Sequence, residues 1–233
     1  MKKALVTGAT SGLGKYITIQ LSKKKIKVIG IARNKKRLET LKKTIGNKYF
    51  DYVVFDLRKI AEIKKISKII LQKENFIDIL INNAGLYKQS NLQNTDISEI
   101  NDLIDTNLKA PIILTKIFSD FMKKKKKGYI INISSIAGKI PINNSSVYCS
   151  TKFGLSGFGS ALNKELKDKG IKVCTIFPGG INTPLWKTIN YRPGNLKDAL
   201  QPPDVYKIID LVLNFKKNVN FSEAVLMPTI ENF

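Results

Sequence analysis

Seven short runs rich in Ile, Val and Leu, set apart by longer amphipathic stretches, constrain this chain more than any other feature of its sequence. The runs fall at residues 3–7 (KALVT), 27–32 (KVIGIA), 52–56 (YVVFD), 78–82 (DILIN), 129–134 (YIINIS), 172–177 (KVCTIF) and 224–228 (AVLMP). Four contain uninterrupted apolar stretches, as expected of strands covered on both faces. Helical periodicity fills the intervals near 13–25, 34–45, 58–73, 97–122, 147–169 and 203–215. Strand and helix in alternation predict an α/β fold, a single Rossmann-type doubly wound domain with a seven-stranded parallel sheet flanked by helices on both faces. A chain of 233 residues fits one such domain. The one extended irregular segment, 178–202, holds four prolines and three glycines.

Composition removes several function classes. The chain has no histidine and two cysteines, Cys149 and Cys174, without metal-ligand spacing, so no metal site is expected. No run reaches the ~18 apolar residues that span a bilayer, and "MKKALVTGAT" turns polar too soon for a signal peptide. A cytoplasmic protein with no membrane partner is the expectation. The formal charge of +22 invites a nucleic-acid partner, but only four of the 40 basic residues are Arg and the lysines are scattered along the sequence. The densest run, residues 123–127, ends a predicted helix before Gly128, where cations favour the helix dipole. No nucleic-acid partner is expected.

Two local patterns carry chemistry. Directly after the first predicted strand, "TGATSGLG" (7–14) places Gly8, Gly12 and Gly14 before a helix. This variant of the dinucleotide fingerprint lets a pyrophosphate approach backbone N–H groups at a helix N-terminus. The second pattern, Tyr148 and Lys152, lies four apart in a predicted helix and therefore shares a face. A nearby ammonium, together with the positive ring of an oxidised nicotinamide, favours the phenolate and lowers a tyrosine pKa from its ordinary value of about 10. Such a pair offers proton transfer in a chain without histidine. Cys149, on an adjacent face, reads as packing.

"TGATSGLG", "INNAG" (81–85), Ser135 with Tyr148-x-x-x-Lys152, and "PGGINT" (178–183) occur in the order and spacing of the short-chain dehydrogenase/reductases, and the resemblance covers nearly the whole chain. It implies a cofactor half over about 1–128, a catalytic half over about 129–233 and a lid at 180–202. It further implies a tetrad: Tyr148 as general acid/base, Lys152 on the nicotinamide ribose, Ser135 on the substrate oxygen and Asn107 supporting the lysine through water. Without the resemblance Asn107 is an ordinary helix residue. The nicotinamide cofactor would lie along Gly8, Ser11, Gly12, Leu13 and Gly14, then Asp56 and Leu57, then Asn83, Ala84 and Gly85. At its far end stand Tyr148 and Lys152 with Pro178, Gly179, Ile181 and Thr183.

At the end of the second strand Ala32 stands where NAD-using relatives carry an acid, and Arg33 follows with donors suited to a 2′-phosphate. NADP(H) is the expected cofactor, with NAD(H) second; Arg33 as one more surface cation is the alternative. Trp186, Leu185 and Ile189 would give the lid an apolar face, or Trp186 anchors a surface loop. The wall at 140–147 reads as more polar than greasy, which suits a small polar or amphipathic carbonyl/alcohol substrate. The ending "FSEAVLMPTIENF" is similar to the NADP-dependent 3-hydroxy acid and serine dehydrogenases, and lacks the glycine-rich turn usual in 3-oxoacyl-[acyl-carrier-protein] reductases. That reductase activity is an alternative, and a non-catalytic NADP-binding sensor a further one. Family members pair through the helices at 97–122 and 147–169, so a homodimer or homotetramer is expected.

Overall fold

In the computed structural model, which describes residues 1–188, 196–216 and 218–229, the apolar runs sort their side chains alternately onto two faces of one sheet. The elements run β1 (Lys3–Thr7), α1 (Gly12–Lys23), β2 (Lys27–Ala32), α2 (Lys35–Ile45), β3 (Phe50–Val54), α3 (Ile63–Glu74) and β4 (Ile79–Asn82). They continue with α4 (Ile97–Ile104), α5 (Ala110–Lys125), β5 (Gly128–Ile133), α6 (Ser146–Leu166), β6 (Ile171–Pro178), α7 (Pro202–Asn214) and β7 (Glu223–Leu226). All neighbouring strands pair in parallel, in the order β3-β2-β1-β4-β5-β6-β7. This is a single Rossmann-like domain with helices on both sides.

The period of two explains the layers. Ala4 and Val6 of β1 meet Ile17 and Leu21 of α1 and Ile209 of α7 on one face. Leu5 between them points the other way, into the layer holding Ile70 of α3, Phe118 of α5 and Leu162 of α6. Each such aliphatic side chain contributes about 1.5–3 kcal/mol on burial. The strand order reverses between β1 and β4, and at that switch point the carboxyl ends of the strands open a crevice.

Two predicted elements end differently. The third strand stops at Val54, its last pairing partner being Ala32 at the end of β2, so Asp56 and Leu57 lie in the following turn instead of at the strand's tip. The long helix at 97–122 is divided by a π-helical turn, Asp105–Lys109. Pro111 accounts for the division: it has no N–H to return to the carbonyl of Asn107, four residues back. The lysine run behaves as expected, with Lys123, Lys124 and Lys125 in the last turn of α5 and Lys126 as a left-handed cap. Among the described residues no helix is long and apolar enough to cross a membrane. Ile189 of the lid lies outside the described residues.

Candidate active site

The crevice is a cleft of about 1310 Å³ that runs from the first β–α turn to the N-terminal end of α6. Its first wall is the glycine turn. Gly8 and Gly12 adopt positive φ (68° and 45°), which other residues reach at a cost. A Cβ on Gly14 would lie 2.2 Å from the carbonyl oxygen of Gly8, so only glycine lets α1 start this close to the strand. Ser11 caps α1 without a side-chain bond, and no acid occupies the first turn. The N–H groups that open the helix have no intrahelical partners, and so suit a diphosphate. Leu13 reaches the cleft too, with its side chain in the core beneath.

Ala32 and Arg33 border the next stretch, where β2 ends. Asn34 caps α2, its Oδ1 accepting from the N–H of Arg37 at 2.9 Å, and both residues line the cleft beside Arg33. Two guanidinium groups therefore stand where the sequence pointed to one. Asp56 lines the same region with its carboxylate gripped by Arg58, Nη2 to Oδ2 at 2.6 Å. Hydrogen bonds from Arg58 hold the Asp56 carboxyl below the usual carboxylate range. Leu57 lies beside it, mostly buried.

At the end of β4 the lining residues are held from beneath by buried Thr7, whose Oγ1 accepts from the N–H groups of Asn83 (2.9 Å) and Ala84 (3.0 Å). The Asn83 amide returns a bond to the Thr7 carbonyl at 2.9 Å, so strands β1 and β4 are locked at the switch point. Asn83, Ala84 and Gly85 all line the cleft; Asn107 does not. Fully buried in the π turn, Asn107 accepts from Leu86 N–H at 2.8 Å and donates to Leu86 O at 2.9 Å and to Thr151 Oγ1 at 3.2 Å. It clamps the chain behind Gly85, where a Cβ would lie 3.5 Å from its Oδ1 and 3.7 Å from Lys152 Nζ.

The far end is made by β5 and α6. Gly138 lets the turn after β5 approach the helix backbone, since a Cβ there would meet the Lys152 carbonyl at 2.7 Å. Of the two serines, Ser134 is buried and donates to the Lys152 carbonyl (3.2 Å). Ser135 accepts from Ala137 N–H at 3.2 Å and hydrogen-bonds the Tyr148 phenol. Lys152 shares the Tyr148 face of α6 as the spacing predicted; its Nζ lies 5.7 Å from the phenol ring centroid and donates to Ile133 O at 3.1 Å.

The electrostatics differ from the expectation of a phenol acidified by its lysine. Burial pushes the Tyr148 phenol above its ordinary value, and outweighs the hydrogen bond from Ser135 that favours the phenolate. The same burial brings the Lys152 ammonium down to about 8. The chain's own groups thus favour the neutral phenol, and the phenolate needs a further positive charge beside it.

The remaining wall comes from Pro178, Gly179, Ile181 and Thr183, then Leu185 and Trp186. The base of this segment is stitched by Asn182 N–H to Leu200 O and Leu200 N–H to Gly180 O, at 2.8 and 2.9 Å. Trp186 both lines the cleft and is anchored, donating Nε1–H to Ile181 O at 2.6 Å. Opposite it, the wall at 140–144 is more apolar than predicted, since Ile140, Pro141 and Ile142 join Asn143 and Asn144. Cys149 packs as expected, its Sγ accepting from Ile142 N–H. Sequence reading missed Thr10, Asn34, Arg37, Tyr87 and Gln89. Arg37 had a signal in its place on the first turn of a helix opening at the cleft. Tyr87 and Gln89, in coil after β4, had none.

This is the architecture of a Rossmann-type oxidoreductase. The family model of the short chain dehydrogenases matches residues 2–193, and the chain belongs to that family. An uncharacterised oxidoreductase of Staphylococcus aureus is 32% identical over 97% of both chains. Among solved structures, a serine dehydrogenase from Escherichia coli is 30% identical, with a TM-score of 0.85 over 99% of this chain and 100% of its own. A metagenomic short-chain oxidoreductase in complex with NADP is 28% identical, with a TM-score of 0.85 over 98% of this chain and 97% of its own.

Proposed function

We propose that this protein interconverts a small carbonyl compound and its alcohol with NADP(H), using Tyr148 as the general acid/base. One observation carries the reading: the Ser135–Tyr148–Lys152 group stands in the same cleft as the glycine cradle, at its opposite end. The residues fit a dinucleotide, because a side chain at Gly12 would enter the cradle and meet Thr183 Cβ at 2.9 Å, and glycine there keeps it open. Gly8, Ser11, Gly12, Leu13 and Gly14 would hold the diphosphate; Asp56, Leu57, Asn83, Ala84 and Gly85 would line the adenosine and ribose. When bound, the cofactor supplies the hydride, and its oxidised ring supplies positive charge.

In reduction, Tyr148 gives its phenolic proton to the carbonyl oxygen as that oxygen gains electron density. Ser135 stabilises the same oxygen by a hydrogen bond. Lys152 keeps a cation beneath the phenol and would hold the nicotinamide ribose. In oxidation Tyr148 takes the proton back, and for that step its raised pKa must fall. Asn107 acts as a positioning residue through Leu86 and Thr151.

NADP(H) preference rests on Ala32, on Arg33 and Arg37 at the start of α2, and on the NADP carried by the metagenomic relative. A panel of carbonyl compounds followed at the nicotinamide absorbance tests the reading, with NADPH expected to be used in preference to NADH. Arg33→Ala is expected to raise KM for NADPH about tenfold or more, the worth of a hydrogen bond to a charged group, while leaving NADH kinetics almost unchanged. Equal kcat/KM with both cofactors in the wild type would remove Arg33 and Arg37 from this role.

A further inference from the structure

We infer that the substrate end of the cleft selects an uncharged carbonyl compound bearing a hydroxyl next to the reacting carbon, and that Gln89 reads this hydroxyl. The inference rests on the oxidoreductase reading above and names its substrate class. Gln89 lines the cleft two residues after Tyr87, whose ring packs edge-on against Tyr148 with centroids 4.6 Å apart. Its Oε1 is buried and has no hydrogen-bond partner. A buried acceptor left unpaired is unfavourable, and the terminal torsion of a glutamine is soft, so the amide turns toward a donor at little cost.

The backbone around Gln89 is held in place. Ser90 N–H donates to the carbonyl of Asn144 at 2.7 Å, and the Tyr87 hydroxyl lies 3.3 Å from Ser145 Oγ. The segment after β4 that carries Gln89 is thereby fixed to the residues at 144–145, next to the helix that carries the phenol. An orphan acceptor matched to a substrate donor is the arrangement that rejects an analogue lacking the donor.

Charge decides against an acid as substrate. A carboxylate would bring more acceptors to the Gln89 oxygen. Among the described residues lining the substrate end, Lys152 is the one cation; its Nζ donates to Ile133 O, and the reading above assigns it to the nicotinamide ribose. The other polar groups there, the hydroxyls of Ser135, Tyr87 and Tyr148 and the amides of Asn143 and Asn144, carry no charge that would hold a carboxylate, and Ile140, Ile142, Leu185 and Trp186 supply apolar surface.

Hydroxyacetone, acetone and pyruvate form a matched three-carbon set for the test, with NADPH as reductant. The wild type is expected to favour hydroxyacetone over acetone by at least about tenfold in kcat/KM, the loss expected for a buried acceptor without its donor. Pyruvate is expected to be the poorest of the three. Gln89→Leu and the near-isosteric Gln89→Met should collapse the hydroxyacetone preference over acetone, with circular dichroism and NADPH affinity verifying folding. An unchanged preference in both variants, or pyruvate as the best substrate, overturns the inference and leaves the oxidoreductase reading intact. If all three are poor, the same comparison is made on a hydroxylated and deoxygenated pair built on whichever panel carbonyl is reduced. A wild type that reduces no carbonyl compound at all defeats the parent reading and this inference together.

Discussion

Lys152 shows how a side chain to which we assign chemistry can oppose folding. Its ammonium is buried, and burial lowers its pKa from 10.5 to about 8. Below pH 8 the folded state carries the full cost of a desolvated cation; the cost shrinks as pH rises and vanishes above the unfolded value near 10.5. Lys152→Met removes the charge and gives up the bond to Ile133 O and the ammonium's contact with the Tyr148 ring. The variant is therefore expected to be inactive yet more stable at pH 7, by about 1–2 kcal/mol after the lost hydrogen bond is deducted. Denaturant titrations at several pH values check this, and the gain should fade as pH approaches 10. A variant less stable than wild type at pH 7 would mean that the ammonium is better solvated than its burial implies.

At the level of elements, the close contacts are made by glycines. On α6, a Cβ at Gly159 would lie 2.1 Å from Thr175 Oγ1 of β6, a hydroxyl that has no hydrogen-bond partner. Gly159→Ala is expected to cost about 1–3 kcal/mol through overpacking. Thr175→Ala in the same chain should recover most of that loss, and chemical denaturation of the two single variants and the double reads it. Strict additivity would show that helix and strand do not meet there. Contacts of this kind were not legible in the sequence, whereas the elements themselves were, because apolar runs and helical periodicity are local. The π turn at Asp105–Lys109 escaped because one extra residue per turn is invisible to a 3.6-residue period. The third strand's end escaped because its partner β2, and not its own apolar run, terminates it. The Tyr148–Lys152 pair was legible from spacing alone; the direction of its pKa shifts was not, since burial depends on the whole cleft.

For the whole molecule, a net charge of +22 means that most lysines have no acid to meet. The acids that exist are used hard: Asp51 serves both Lys42 and Lys73, and Glu74 serves both Lys3 and Lys27. Mutual repulsion of the remainder destabilises the compact state and is screened by salt. Raising NaCl from about 10 mM to about 300 mM should shift Tm upward by about 2–4 °C, equivalent to about 1 kcal/mol for a domain of this size. A falling Tm would show that the ion pairs outweigh the repulsion. The same fold brings the glycine cradle after β1 together with the serine, tyrosine and lysine that follow β5 in one cleft, and the account stands on what the tyrosine does there. Steady-state turnover of Tyr148→Phe with NADPH and a carbonyl substrate, measured beside NADPH affinity, tests that most directly. The account predicts turnover lowered by at least about a hundredfold, the scale of general acid catalysis, with NADPH affinity almost unchanged. Wild-type turnover in this variant would contradict it.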